Sequence, residues 1–478
     1  MSRPGTAALL SALVPGLGQA RLGARRRAAL IAIPFVALIV VAAVAVIVDP
    51  RNAIDSILSP GVLLAVLVLL VAMGAYHLLA VLDAFRLGNH FGARREPPVP
   101  RRRALGSPLL LIALSGIVAF YGIVEFVGVK AYQATQAIFV NPGTGLEIPA
   151  ASFTPRPSPT TGPPPTGPVT APPPPSPTPV PVPAWEEDGR LNLLLVGSDA
   201  GPGRWLARTD TMIVLSVDVA SGRAALFGIP RNIVNVPLPP ESAGAFSNGR
   251  FPQFLNALYV YAYNHPKDFP GADGDTRGFR AVTGAIQELV GQPLDGAVFV
   301  NLNGFVDLVD AVGGLWVDLP YSLYDAHYPL PDGTGYIEIS IAAGCHKLTG
   351  ERALEYARSR HMDSDYGRMQ RQQRVLVALA RQLEPLSLLP RVPDLLDIAK
   401  DNLLITIPAN EIANLAVLAA QVDTSDIETI QFSPPTYAEY LRTKDIARIR
   451  DRFATVFDAP AQSPSPSPAA TPKPCPRS

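Results

Sequence analysis

Three long runs without a formal charge, or nearly so, set the first limit on what this chain can fold into. Residues Ala28 to Val48 and Gly61 to Leu82 contain no Asp, Glu, Lys or Arg, and Pro108 to Val129 contains only Glu125. A bilayer core of about 30 Å needs roughly 20 apolar residues of helix, and each run is that long. A buried helix of a water-soluble domain rarely stays uncharged so far, so residues 1–130 are expected to form a membrane anchor with three transmembrane helices. Arginine distribution orients it. The N-terminus carries Arg3, Arg21, Arg25, Arg26 and Arg27, and the second loop carries Arg86, Arg94, Arg95, Arg101, Arg102 and Arg103. The first loop has only Arg51, beside Asp49 and Asp55. Arginine-rich loops stay cytoplasmic, which places the N-terminus inside and everything after Lys130 outside. The run Ala7 to Val14 is too short, and too closely followed by arginines, for an ordinary cleavable signal. The turn Pro15-Gly16-Leu17-Gly18-Gln19 reads as the start of an interfacial or re-entrant segment.

Proline marks the next boundary. Residues 141–184 are rich in Pro, Thr and Ser and cannot bury a core, so they are expected to be a disordered, semi-rigid linker. Fully extended, such a segment spans roughly 100 Å or more. Residues 459–478 read as a disordered tail. The chain carries 40 basic and 40 acidic residues, and this balance excludes a general nucleic-acid binder. Its two cysteines, Cys345 and Cys475, and six scattered histidines form no zinc-ligand spacing.

Residues 188–458 alternate strands and helices. Strands are expected at Leu191 to Val196, Met212 to Val217, Ala224 to Ile229, Ala297 to Val300, Leu315 to Leu319 and Thr429 to Phe432. Helices are expected at Gly278 to Val290, Gly304 to Val312, Leu395 to Leu404, Ala409 to Gln421 and Asp445 to Phe457. This is the pattern of a layered α/β or α+β domain. Asp199, Arg208, Asp210 and Arg231 all fall at strand ends, where ligands of open α/β sheets gather. Two carboxylates without histidine suit a hard cation such as Mg²⁺, although Asp199 and Asp210 would serve equally as turn caps.

The densest basic stretch runs from Gly350 to Leu379 and holds Arg358, Arg360, Arg368, Arg371 and Arg374. Guanidinium groups match phosphate oxygens with a planar fork of donors. Asp365 reads as a helix N-cap, and on the helix that follows Arg368, Gln372, Val375 and Leu379 share a face. Arg374 points the other way, as a solvated charge. An inward arginine at a helix start suits an anion; a salt-bridged surface helix has the same composition.

Several motifs in order resemble the LytR-CpsA-Psr family. They are Gly197-Ser198-Asp199, Arg208-Thr209-Asp210-Thr211-Met212, Ile229-Pro230-Arg231, the run Phe305 to Gly314, Leu348-Thr349-Gly350 through Arg360, and Asp365-Tyr366-Gly367-Arg368 with Arg371-Gln372. The resemblance covers about residues 190–385. It implies a three-layer α/β/α extracytoplasmic domain with a mixed sheet and an apolar pocket for a lipid chain. The implied activity is a phosphotransferase of cell wall assembly. It moves a glycopolymer from a polyprenyl-diphosphate carrier in the membrane to a peptidoglycan hydroxyl. The resemblance gives Mg²⁺ to Asp199 and Asp210, and the diphosphate to Arg208, Arg231, Arg358, Arg360, Arg368 and Gln372. Asp199, Asp210, Arg208 and Arg231 would be catalytic, with the base open among Asp199, Asp210 and Asp365. Helices Ala281 to Val290 and Phe305 to Val312 are candidate pocket walls, a pattern that ordinary core helices share. Hydrolysis of the carrier, and non-catalytic binding of it by an envelope regulator, are the rival activities.

Three departures stand out. The family usually has Asp after Ile-Pro-Arg, and this chain has Asn232. Cys345 sits where related chains pair with an upstream cysteine; residues 321–328 contain none, which leaves Cys345 unpaired or bridged to Cys475. Three spans are also more than the single span expected of the family.

Overall fold

A computed structural model describes residues 3–48, 60–93, 107–138, 146–153, 184–198, 208–330, 334–360, 364–382, 391–408, 411–458 and 475. The chain divides into two compact units, Met1–Gln136 and Ala137–Ser478.

The first unit is helical: α1 (Arg3–Leu13), α2 (Leu17–Arg21), α3 (Arg25–Val48), α4 (Pro60–Ala93) and α5 (Pro108–Ile138). Three stretches, Arg25–Val48, Gly61–His90 and Pro108–Gln136, are long and apolar enough to cross a membrane. The Pro-Gly-Leu-Gly-Gln turn folds α1 back onto α2. Gly16 takes a left-handed φ of 95°, and a side chain on Gly18 would meet the Ala7 carbonyl oxygen at 2.0 Å. Gln19 is fully buried and ties the hairpin to α4: its amide donates to the Ala80 carbonyl at 2.9 Å and to Asp83 at 3.0 Å, and it accepts from Ser11 at 2.8 Å. Satisfying a buried amide this way is what apolar surroundings demand.

The second unit begins before the expected domain boundary. Leu146 and Ile148 pack on its main core, Gln287 donates to the Pro149 carbonyl at 2.8 Å, and Glu288 accepts the Ser152 N–H at 2.7 Å. The chain rejoins the domain at α6 (Ala184–Asp188), where Trp185 is buried. Residues 154–183, the bulk of the expected linker, lie outside the described residues. Described residues of the second unit therefore stand on both sides of that stretch.

The domain continues through β1 (Arg190–Ser198), β2 (Thr209–Asp218), β3 (Ala224–Gly228), β4 (Val234–Pro237), α7 (Pro240–Ala243), β5 (Arg250–Phe254) and α8 (Leu258–Asn264). Then come α9 (Gly274–Val290), β6 (Gly296–Val300), α10 (Leu302–Ala311), β7 (Leu315–Leu319), β8 (Leu323–Pro329), β9 (Tyr336–Ile341) and β10 (Gly344–Leu348). It ends with α11 (Gly350–Arg358), α12 (Asp365–Gln382), α13 (Val392–Asn402), β11 (Leu403–Ile405), α14 (Ile412–Gln421), β12 (Ile427–Gln431) and α15 (Thr443–Ala454).

Six strands form one mixed sheet in the order β11-β6-β1-β2-β3-β12. β1 runs antiparallel to β2 and parallel to β6; β3 runs antiparallel to β2 and parallel to β12. Alternation sends Leu194, Val196, Val214 and Phe227 to one face, against Val282 and Ile286 of α9 and Ile449 and Phe453 of α15. Leu191, Val217 and Ala224 face the other way, onto Trp185 and Leu418 of α14. The result is the expected three-layer α/β/α domain with a mixed sheet. Asp273 caps α9 by accepting the Thr276 N–H at 2.7 Å, and Gly291 ends it with φ 70°.

α9 and α10, the candidate pocket walls, pack their apolar faces into two hydrophobic cores. Ala281, Val282, Ala285, Ile286 and Leu289 are sealed in the main core. Val309, with Phe305 and Val312 beside it, packs into a second core built by β7, β8, β9, β10, α11 and α12. Cys345 is bridged to Cys475, the pairing left open by the sequence, which ties a distant tail residue to β10.

Candidate active site

The ends of β2 and β3 meet the start of α12. Asp210 is the second residue of β2, and Arg208 stands exposed just before that strand. After β3, the Ile229 N–H bonds the Met212 carbonyl at 2.9 Å, and the chain turns through Pro230 into Arg231. α12 is pinned over these ends by Gln373, whose amide donates to the carbonyls of Leu226 at 3.0 Å and Ile430 at 2.9 Å. Gly228 makes room for it: a Cβ there would lie 2.9 Å from the Met369 methyl carbon. α12 begins at Asp365, so Asp365 lies in its first turn and not at the N-cap as its sequence position implied. That shift frees the Asp365 carboxylate to face the strand ends.

Asp210 is the hub. Its Oδ1 accepts from Arg231 at 2.6 Å and from the Asn256 amide at 3.2 Å, and its Oδ2 accepts from Arg360 at 3.1 Å. Arg231 grips Asp365 with two nitrogens, Nε and Nη2, each 3.1 Å from a carboxylate oxygen. Arg368 bridges both sides, donating at 3.1 Å to the Asp210 carbonyl and at 3.1 Å to Asp365. Burial pushes Asp210 up, but the bond and charge of Arg231, with Arg368 and Arg360, hold its carboxyl below the ordinary value. Arg368 is 2% exposed; burial, opposed by Asp365, lowers its pKa to about 10, so it remains charged at neutral pH.

The expected face of α12 forms: Arg368, Gln372 and Val375 are buried, and Leu379 packs on the second core. Its polar members part company, however. Gln372 reaches the Ala357 carbonyl at 3.5 Å, while Arg358 lies over the Tyr328 ring at 5.8 Å. Neither joins the Asp210 network. Arg371, fully buried, donates to the Tyr356 carbonyl at 2.8 Å and to the Ser359 carbonyl, and so shapes the turn carrying Arg360. Arg374 is not the solvated charge its helix position implied. It donates to the Tyr356 hydroxyl at 2.9 Å, because α11 packs against that side of α12. Asp199 lies outside the described residues.

Enclosed polar atoms without a partner gather here. Of six such atoms among the described residues, four belong to Thr209, Asn232, Arg358 and Arg368, all at or beside this cluster. Native proteins rarely leave such groups unmet, and unpaired guanidinium N–H groups are what an anionic ligand would satisfy.

Sequence reasoning missed Asn256, Asp325 and Glu439. Asp325 is 1% exposed and accepts from the Ser359 hydroxyl at 2.8 Å and the Arg360 N–H at 3.2 Å. Glu439 accepts from the Asn232 amide at 3.3 Å and from the Tyr366 hydroxyl. Nothing local marks these residues; each meets its partner only across the fold.

For Mg²⁺, Asp210 offers an ionised, hard oxygen donor. Its Oδ1 is committed to Arg231 and Asn256, whereas Oδ2 is held only by Arg360, whose side chain is 46% exposed. Because Arg360 is half exposed, its turning away would free Oδ2, so the donor chemistry fits, with Asp199 the expected second carboxylate. Among the described residues, the one group of three metal-type ligands is Asp318, Cys345 and Cys475, whose cysteines are spent in the disulfide.

The chain is similar to several known proteins. Biofilm regulatory protein A of Streptococcus mutans is 27% identical, over 44% of this chain and 48% of that protein. The polyisoprenyl-teichoic acid–peptidoglycan teichoic acid transferase TagU of Halalkalibacterium halodurans is 27% identical, over 43% of this chain and 57% of that protein. The corresponding TagT of Bacillus subtilis is 27% identical, over 52% of this chain and 68% of that protein. The chain thus spans about half the length of the first curated relatives it matches. Among solved structures, B. subtilis TagV aligns with a TM-score of 0.42 at 22% identity, covering 56% of this chain and 97% of that one. TagT bound to LIIa-WTA aligns with a TM-score of 0.39 at 22% identity, covering 57% of this chain and 92% of that one. The LytR_cpsA_psr family profile matches residues 174–449, the whole of the sheet and the arginine–aspartate cluster at its edge, and the chain belongs to that family.

Proposed function

We propose that this protein transfers a glycopolymer from a polyprenyl-diphosphate carrier to a peptidoglycan sugar hydroxyl. The observation that carries the reading is Arg368: a buried guanidinium with an enclosed, unpartnered Nε, in a cluster where three arginines face two aspartates. One positive charge is in excess, and a diphosphate supplies the missing anion. The names of the relatives, which are transferases of polyisoprenyl-linked teichoic acid to peptidoglycan, agree with this chemistry.

In the proposed reaction the acceptor oxygen bonds to the sugar-proximal phosphorus, the bond from that phosphorus to polyprenyl phosphate breaks, and the hydroxyl proton passes to a base. Arg368, fixed by burial, holds the diphosphate. Arg231 spans Asp210 and Asp365 and orients the phosphate between them. Arg360, exposed and hinged on its turn, closes over the phosphate oxygens. Arg208, at the same strand mouth, and Arg358 add positive potential. Charge placed in advance where the transition state develops it is the main source of catalysis here. Mg²⁺, held by Asp210 with Asp199, would neutralise phosphate charge.

Arginine asymmetry supports a multi-pass protein with a cytoplasmic N-terminus and an extracytoplasmic catalytic domain. The test is carrier binding and product analysis across a Mg²⁺ titration, with peptidoglycan present. Transfer that chelator abolishes is the expected result. Free phosphoglycan would mean hydrolysis, and tight binding without turnover would mean a regulator. Transfer indifferent to chelator removes the metal from the account.

A further inference from the structure

Asp210 and Asp365 are each gripped by two arginines, which commits their carboxylate oxygens. A third carboxylate stands beside them under different conditions. Glu439 lies on the segment between β12 and α15, and its backbone is stitched to β4: the Val234 N–H donates to the Glu439 carbonyl at 2.8 Å, and the Leu441 N–H to the Val234 carbonyl at 3.0 Å. Its Oε1 accepts from Asn232 at 3.3 Å and from the Tyr366 hydroxyl. Asn232 follows Arg231 and Tyr366 follows Asp365, so Glu439 is one residue removed, on two separate elements, from the Arg231–Asp365 pair. Among the described residues no arginine or lysine pairs with it. It is exposed, as a group that meets an incoming acceptor must be. Burial and the bond to Glu439 push the Tyr366 phenol up to about 12, so it stays a neutral hydroxyl donor.

We propose that Glu439 is the general base of the transfer, receiving the acceptor hydroxyl's proton as its oxygen bonds to phosphorus, and that it supplies from the far side of the fold the carboxylate absent at Asn232. This inference rests on the transferase reading. The amide at position 232 then acts as a positioning residue, holding Oε1 with an uncharged donor and leaving Oε2 for the acceptor.

The experiment uses the full chain in nanodiscs, a polyprenyl-diphosphate disaccharide and a peptidoglycan fragment, with kcat, carrier Kd and the pH profile measured for wild type, Glu439→Gln and Glu439→Gln/Asn232→Asp. Positioned general bases contribute roughly 10²–10⁴-fold. Glu439→Gln should therefore lose about a hundredfold or more in kcat at unchanged carrier Kd, and lose the fall in rate on the acid side. The double variant should recover part of both, because the new carboxylate stands within hydrogen-bond reach of the old one. Glu439→Gln with wild-type kcat and pH profile overturns the base assignment and leaves the transferase reading intact. A parallel loss of carrier affinity also overturns it, in favour of a structural role. Wild type that binds carrier but transfers nothing overturns both.

Discussion

The carboxylate of Asp325, buried on β8, accepts the backbone N–H of Arg360 at 3.2 Å. The register of β8 with β9 shifts between Asp325 and Tyr328, and that irregularity lies beside the turn carrying Arg358, Ser359 and Arg360. A strand whose inner face packs in the second core thereby sets where a cation of the site begins its reach. Asp325→Ala leaves the Ser359 hydroxyl and Arg360 N–H without their acceptor, which costs about 1–3 kcal/mol. Lower thermal stability together with severalfold weaker carrier binding is expected, and Asp325→Asn should restore part of both. Full carrier affinity in Asp325→Ala would show that the turn holds Arg360 without it.

Arg368 and Arg374 separate binding from stability. A charge-assisted bond is typically worth about 1.5–3 kcal/mol, so Arg368→Ala should weaken carrier binding roughly ten- to a hundredfold. Arg374→Ala removes the donor to Tyr356 and should lower stability by about 1 kcal/mol with carrier Kd unchanged. Titration of carrier into both variants checks this; equal losses of affinity would mean a diffuse basic patch.

Asp295 makes the domain less stable as pH rises. Burial raises its carboxyl to about 7, against the bond from the Asn192 N–H, which lowers it; Asp188 and Glu411 add to the rise. The folded state thus keeps a proton that the unfolded state releases near pH 4, and stability falls as pH climbs from about 4 to about 7, then levels. The carboxylate at pH 8 costs on the order of 4 kcal/mol. Asp295→Asn keeps an acceptor for the Asn192 N–H, now 2.7 Å from Asp295 Oδ2, and should raise stability at pH 8 by a few kcal/mol while leaving it nearly unchanged at pH 4. Chemical unfolding of the two proteins at both pH values checks this; equal pH dependence would contradict it.

The arginine asymmetry of the loops predicts a topology. A reporter fused after Ala184 should be active only outside the cytoplasm, and one near Arg95 only inside. The reverse pattern would separate the site from the peptidoglycan acceptor.

Local pattern carried most of the sheet and the reactive face of α12. β3 is wholly apolar, β1 and β2 are apolar runs broken only by Asn192 and Ser216 in their middles, and Arg368, Gln372 and Val375 recur at helical spacing, so both were legible in the sequence. The hairpins β4–β5 and β8–β9 were not, since polar and aromatic residues interrupt their alternation. Partnerships were hidden further. Arg374 meets Tyr356 18 residues away, Tyr366 meets Glu439 73 residues away, and Asn232 meets Glu439 207 residues away. The departure at Asn232 was visible; the carboxylate beside it was a product of tertiary packing.

The central claim is that the arginine–aspartate cluster directs an acceptor hydroxyl to the sugar-proximal phosphorus of the carrier. A single-turnover reaction with ³²P at that phosphorus tests it most directly, using the full chain, Mg²⁺ and peptidoglycan. The label should appear in peptidoglycan in step with release of unlabelled polyprenyl phosphate, and both should fail in Arg368→Ala at carrier concentrations below its Kd. Label leaving with the lipid phosphate, or transfer undiminished in Arg368→Ala, would contradict the account.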